Sequence, residues 1–167
     1  MKKIALLLIA IAGFAVMANA QVTGHATVTG TIVTPIAIVN AGDMNFGNVA
    51  VSATGGTVVL APASSRTKTG GVTLPANPGT VTAAHFNITG AANYTYAITI
   101  PAISTTVTSG GNNMTVDTFT SVPALTGLLD GSGKQTVDVG ATWNIGANQP
   151  AGTYVSGTPF DITVNYN

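Results

Sequence analysis

Two histidines and five aspartates, with no glutamate and no cysteine, are all that this chain offers to metal or acid–base chemistry. His25 and His85 lie far apart, and no carboxylate falls at ligand spacing from either. His25 stands in a row of threonines and reads as a solvated strand residue; His85, at a strand start before Phe86, reads the same way. Asp117, Asp138 and Asp161 each fall between apolar strand positions and are expected to face solvent. Asp43 and Asp130 sit at turns, where an aspartate side chain bonds nearby backbone. A glycosidase would need two carboxylates brought together by the fold, against the common case of strand-face aspartates. No serine lies in a G-x-S-x-G elbow, and Asp130-Gly131-Ser132-Gly133 lacks the ligands of a calcium loop. The residues point to no enzyme, no catalytic residue, no metal and no cofactor. The aromatic residues mostly keep phase with Val and Ile and are expected in the core, with Tyr154 the least certain. Three glycosylation sequons, beginning at Asn87, Asn93 and Asn113, are read as coincidental in so threonine-rich a chain.

The first twenty residues have another purpose. Lys2 and Lys3 precede an apolar run from Ile4 to Val16, and Ala18-Asn19-Ala20 forms an A-x-A cleavage signal. The run is too short to span a bilayer, which takes about 20 apolar residues. Residues 1–20 are therefore expected to be a cleaved signal peptide. The protein would be exported, through the periplasm, to the cell surface or beyond, and not be an integral membrane protein. The remainder is long enough for one hydrophobic core. Its basic residues are Arg66, Lys68 and Lys134, too few to hold a phosphate backbone, which argues against nucleic acid. Charged residues make up 6% of the chain, against about 25% in an ordinary soluble domain. Surface charge is one device that keeps strand edges apart, so this surface suits edge-to-edge packing with copies of itself. With no cysteine, stability must come from burial and strand pairing, or from trapping in an assembly.

The elements that would position these residues are strands. Phe160, Ile162, Val164 and Tyr166 alternate with Asp161, Thr163 and Asn165, giving one apolar and one polar face. From Gln21 to Ile38 the chain alternates for much longer than one strand, and divides into an arm, residues 21–30, and a first core strand, Thr31 to Val39. Pro35 marks that strand as an edge or a bulged one. Further strands are expected at 57–61, 84–89, 94–100, 103–108, from Met114 through Val116 toward Thr118, and from Val137 to Ile145, with Asp130–Gly133 as a hairpin turn. No segment after the signal peptide keeps a 3.6-residue period. The reading is an all-β sandwich, residues 31–167, with a closed barrel as the alternative.

Four short elements carry a family resemblance: Asp43-Met44-Asn45-Phe46-Gly47, Ala84-His85-Phe86-Asn87-Ile88-Thr89-Gly90, Gly152-Thr153-Tyr154 and Thr163-Val164-Asn165-Tyr166. With the arm and the terminal strand, they make the chain resemble a bacterial pilin-like family of unknown function, similar in pattern to chaperone–usher pilins and spore-coat-U-like domains. The resemblance implies an immunoglobulin-like sandwich with an extended N-terminal strand arm. In chaperone–usher pilins the arm of one subunit fills a groove in the next. Carried over by position, Val22, Ala26, Val28 and Ile32 would be donor residues, with Gly24 and Gly30 where the groove is shallow. Phe160, Ile162, Val164 and Tyr166 would form the edge of the acceptor groove. The implied function is a subunit of a surface filament, a fimbria-like homo-polymer joined head to tail, with a periplasmic chaperone and an outer-membrane usher as partners. The chain lacks the cysteine pair of many such pilins, which leaves the assembly route open. Two other readings stand beside it. One is a self-contained secreted sandwich that binds a ligand such as a glycan. The other is a small outer-membrane barrel, disfavoured by short strands and missing aromatic girdles.

Overall fold

The computed structural model describes residues 21–167; the signal peptide expected at residues 1–20 lies outside them. The chain divides after Ile32 into two units. In the first, residues 21–32 carry no strand. Val22, Val28 and Ile32 are more than nine-tenths exposed there, and Ala26 is exposed as well.

The second unit, Val33–Asn167, is built of thirteen strands. They are β1 (Ala37–Gly42), β2 (Ala50–Val51), β3 (Gly56–Leu60), β4 (Arg66–Lys68) and β5 (Val72–Thr73). Next come β6 (Ala84–Thr89), β7 (Thr95–Thr99), β8 (Thr105–Ser109) and β9 (Asn112–Val122). The last are β10 (Thr126–Leu128), β11 (Lys134–Ile145), β12 (Val155–Ser156) and β13 (Thr163–Tyr166). The main sheet runs β1-β6-β11-β9-β8-β12, with β3 and β4 added beside β11. A second sheet runs β10-β7-β13, and β2 pairs β5 separately. The expected all-β sandwich is what the chain forms. No helix among the described residues is long and apolar enough to cross a membrane.

The longest strand, β11, organises the main sheet. One edge of it pairs β6 over residues 134–139 and then β3 over residues 141–145, while β9 runs along the other edge. The changeover falls at Gly140, which lies against the backbone of Leu60 and Ala61. A Cβ there would collide with that backbone, so only glycine fits. Strands β8 and β9 meet through Gly110 (φ 53°) and Gly111 (φ 85°). Two positive φ values in a two-residue loop match the twist of paired strands.

Three strands differ from the alternation in sequence. The expected first strand at Thr31 begins only at Ala37, because its partner β6 ends at Thr89, which pairs Ala37. Pro35 lies just before it, β1 is an edge strand, and its register shifts between Asn40 and Gly42. In β9, Met114 and Val116 point inward, but Thr118 is exposed and Phe119 is buried. The register against β11 shifts between Gly140 and Thr142, and Thr118 has a φ of 50°. The extra residue is a β-bulge, which turns the alternation over. At the C-terminus, β13 covers only Thr163–Tyr166, so Phe160 and Ile162 precede the ladder.

The core forms two clusters. The larger gathers Ile88, Tyr96, Ile98, Phe119, Leu129, Val137, Val139 and Val164 between the two sheets. The smaller gathers Val58, Val72, Met114 and Ile145. Phe46, Val107 and Trp143 pack against both. Tyr96 is fully buried, and burial raises its pKa. Its hydroxyl donates to Gln135 Oε1 at 2.7 Å, which also accepts the Leu128 N–H at 2.9 Å. One amide oxygen thus satisfies a buried phenol and ties β10 to β11.

Candidate functional site: a terminal edge and an aromatic cleft

The four residues expected at a groove edge occupy different surroundings. Val164 is buried and pairs Ile98 of β7. Phe160 and Ile162 are half-buried and pack on the larger core cluster. Phe160 lies against Phe119 (4.9 Å between ring centroids) and Phe86 (6.3 Å). Tyr166 is half-buried in a T-shaped pair with Tyr94 at 5.6 Å. In its sheet β13 has a neighbour only on the β7 side, so its other edge is unpaired among the described residues.

The Tyr166 hydroxyl is a clasp. It accepts the Ala91 N–H at 2.6 Å and donates to the Thr34 carbonyl at 2.7 Å. A single oxygen thereby joins the last strand to the turn after β6 and to the stretch leading into β1. Gly90 lies directly against that hydroxyl, and a Cβ there would occupy its place. Gly90 and Tyr166 belong to two of the four sequence elements that carried the resemblance, and the fold brings them together. Sequence reasoning singled out Tyr166 as a groove-edge residue, not as a clasp, and missed its partner Thr34, because a backbone carbonyl so far along the chain leaves no signal in residue type.

The other two elements meet at a cleft of about 900 Å³. Its floor takes side chains from all six strands of the main path, from Asn40 of β1 through Phe86, Trp143, Phe119 and Val107 to Val155 and Ser156 of β12. Asp43–Asn48 forms one wall, and the other is formed by Gly152–Tyr154 with Pro159 and Phe160. Trp143 stacks at a tilt with Phe46 (5.6 Å) and with Tyr154 (6.2 Å). Its indole nitrogen is buried and has no hydrogen-bond partner among the described residues. Arg66 holds the first wall, its guanidinium donating to the Phe46 carbonyl and, at 3.0 Å, to that of Asn48. The Tyr154 hydroxyl donates to the Pro150 carbonyl at 2.8 Å and holds the second. Asp43 is the only charged side chain on the lining, and its Oδ1 accepts from Asn40 at 2.7 Å. Six of the aromatic residues line this cleft. Phe119 belongs to the core, as alternation implies, and Phe46, Phe86, Trp143 and Phe160 pack against it half-buried, with one side toward the cleft. Periodicity reports which face a side chain takes but not whether the opposite layer covers it.

The polar face also differs from expectation. His85 and Asp138, expected as separate solvated residues, are cross-strand neighbours of β6 and β11, with Nδ1 and Oδ1 2.6 Å apart. Both are over a third exposed, so the pair contributes at most about 1 kcal/mol. Asp117 accepts from Asn144 Nδ2 at 2.9 Å. No group of three or more potential metal-ligating side chains occurs among the described residues. His25 lies in the first unit and is exposed.

Fold and site together define a β-sandwich with an unpaired terminal edge and an open aromatic cleft. Residues 36–166 match the family described as Domain of unknown function (DUF4402), and the chain belongs to that family. Neither the curated proteins nor the solved structures contain a match.

Proposed function

We propose that the protein is an exported structural subunit of a surface filament, an immunoglobulin-like, pilin-like sandwich whose N-terminal arm inserts as a strand into a neighbouring copy. One observation carries the reading. An alternating segment with Val22, Val28 and Ile32 almost fully exposed occurs in the same chain as a terminal strand, β13, with an unpaired edge. Apolar side chains in alternation are a strand's burial pattern without a burial partner, and an open edge is a ladder without its next strand. Each Val or Ile placed in a groove contributes roughly 1.5–3 kcal/mol. Twelve extended residues, 21–32, reach about 40 Å at ~3.3 Å each, more than enough to run the length of β13. Joining of this kind is head to tail and does not close, so it produces filaments. A chaperone and an usher would hold the edge until assembly.

The experiment is electron microscopy and size-exclusion chromatography of the protein with and without residues 21–30. Filaments or oligomers from the intact chain, and a folded monomer from the shortened one, are expected. An intact protein that stays monomeric at high concentration, alone or after release from a chaperone, would overturn the reading.

A further inference from the structure

We infer that the cleft walled by Asp43–Asn48 and Gly152–Tyr154 is a binding site for a short, neutral oligosaccharide, a role separate from strand insertion. Its shape argues first against a strand. An added strand pairs along an edge, whereas this cleft draws its floor from every strand between β1 and β12 and so crosses them. Its volume, about 900 Å³, falls in the roughly 300–1,000 Å³ range of small-molecule sites. Its chemistry then selects the ligand. Trp143 and Tyr154 supply aromatic faces, and a pyranose ring presents an apolar C–H face to such surfaces. The hydroxyls of Thr105, Thr153 and Ser156 belong to the same lining and suit a ligand rimmed with hydroxyl groups. The one charged lining group is the Asp43 carboxylate, which accepts hydrogen bonds and repels anions. A purely apolar lipid would leave these polar groups unpaired, and an anionic ligand would meet no cation.

The chain contains one tryptophan, and it lies in the cleft, so its fluorescence reports occupancy directly. The purified protein would be titrated with neutral di- and trisaccharides of glucose, galactose and N-acetylglucosamine in α and β linkages. A saturable change in Trp143 emission with at least one of them is expected. Tyr154→Ala should weaken that binding tenfold or more, and Ser156→Ala, which keeps every aromatic contact, should weaken it several-fold. Silence across the whole panel would overturn the inference, as would unchanged binding in both variants. A response to a synthetic peptide of residues 21–32 with none to saccharides would assign the cleft to the arm instead. Filament formation, read by microscopy, can fail or succeed independently of this titration.

Discussion

Replacing Tyr166 with Phe removes one oxygen and nothing else. The ring keeps its T-shaped contact with Tyr94 and its place on the core cluster. Two hydrogen bonds are lost, to the Ala91 N–H and the Thr34 carbonyl. They should not count equally. Thr34 is exposed, so water can replace the phenol there at a cost of about 0.5 kcal/mol. Ala91 is half-buried, and its N–H loses its partner in a space shaped by the phenol oxygen. An unsatisfied donor of that kind costs about 1–3 kcal/mol. The expected destabilisation is therefore about 1.5–3.5 kcal/mol, a fall in Tm of roughly 5–12 °C for a domain of this size. Urea denaturation gives the free energy, and amide hydrogen exchange locates it. The Ala91 amide should exchange faster, well before global unfolding is sampled. Tyr94→Phe is the control: its hydroxyl makes none of these bonds, so stability should stay within about 0.5 kcal/mol, the range of surface changes. If Tyr166→Phe unfolds at the parent midpoint and the Ala91 amide keeps its protection, the clasp contributes nothing and the reasoning fails.

Four further outcomes follow from the same structure. Arg66→Ala should lower stability by about 1.5–3 kcal/mol in urea, since it removes charge-assisted bonds to the Phe46 and Asn48 carbonyls; Trp143 emission should shift red as the wall loosens. Gln135→Leu should cost about 1–3 kcal/mol by leaving the buried Tyr96 hydroxyl and the Leu128 N–H without their shared acceptor. The raised Tyr96 pKa adds a pH signature: its contribution is complete below the ordinary tyrosine value of about 10 and is lost as the pH climbs through the higher folded value, so alkaline unfolding should set in as the pH rises above 10. Asp130 gives the opposite sign. The Lys134 and Ser132 backbone N–H groups hold its carboxyl below the ordinary value. Its contribution is complete above the ordinary carboxylate value of about 4 and is lost as the pH falls through the lower folded value, so Asp130→Asn should flatten the acid limb of a stability–pH curve.

Much of the architecture was legible because strand alternation and turn chemistry are local. Ala84–Thr89 was read as a strand and is β6; the alternation from Val137 to Ile145 lies wholly within β11; Asp130–Gly133 turns as expected, with its aspartate oxygen on two backbone N–H groups. The errors fall where a partner strand overrules the local pattern. Thr118 fits an inward phase until the bulge opposite β11 puts Phe119 there instead. Thr31–Pro35 alternates well but carries no strand, and the ladder with β6 opens only at Ala37, opposite Thr89. Phe160 and Ile162 alternate with Val164, yet pack against the core ahead of the ladder. For the candidate site, Tyr166 was visible and Thr34 was not. The cleft aromatics were each visible but could not be assembled, since five separate segments supply them: Phe46, Phe86, Phe119, Trp143, and Tyr154 with Phe160.

The sequence alone determined the class of protein. Beyond residue 20, period-2 alternation broken by Gly, Pro and Asn points to strands, and a nearly uncharged, cysteine-free composition leaves burial and strand pairing to hold them. Only the tertiary structure decided which faces are covered. Whether an apolar face is closed depends on the layer laid over it, and here that layer leaves a gap over Trp143 and, among the described residues, an unpaired edge at β13. Coverage is a property of contacts between distant segments, and no local pattern of residues encodes it.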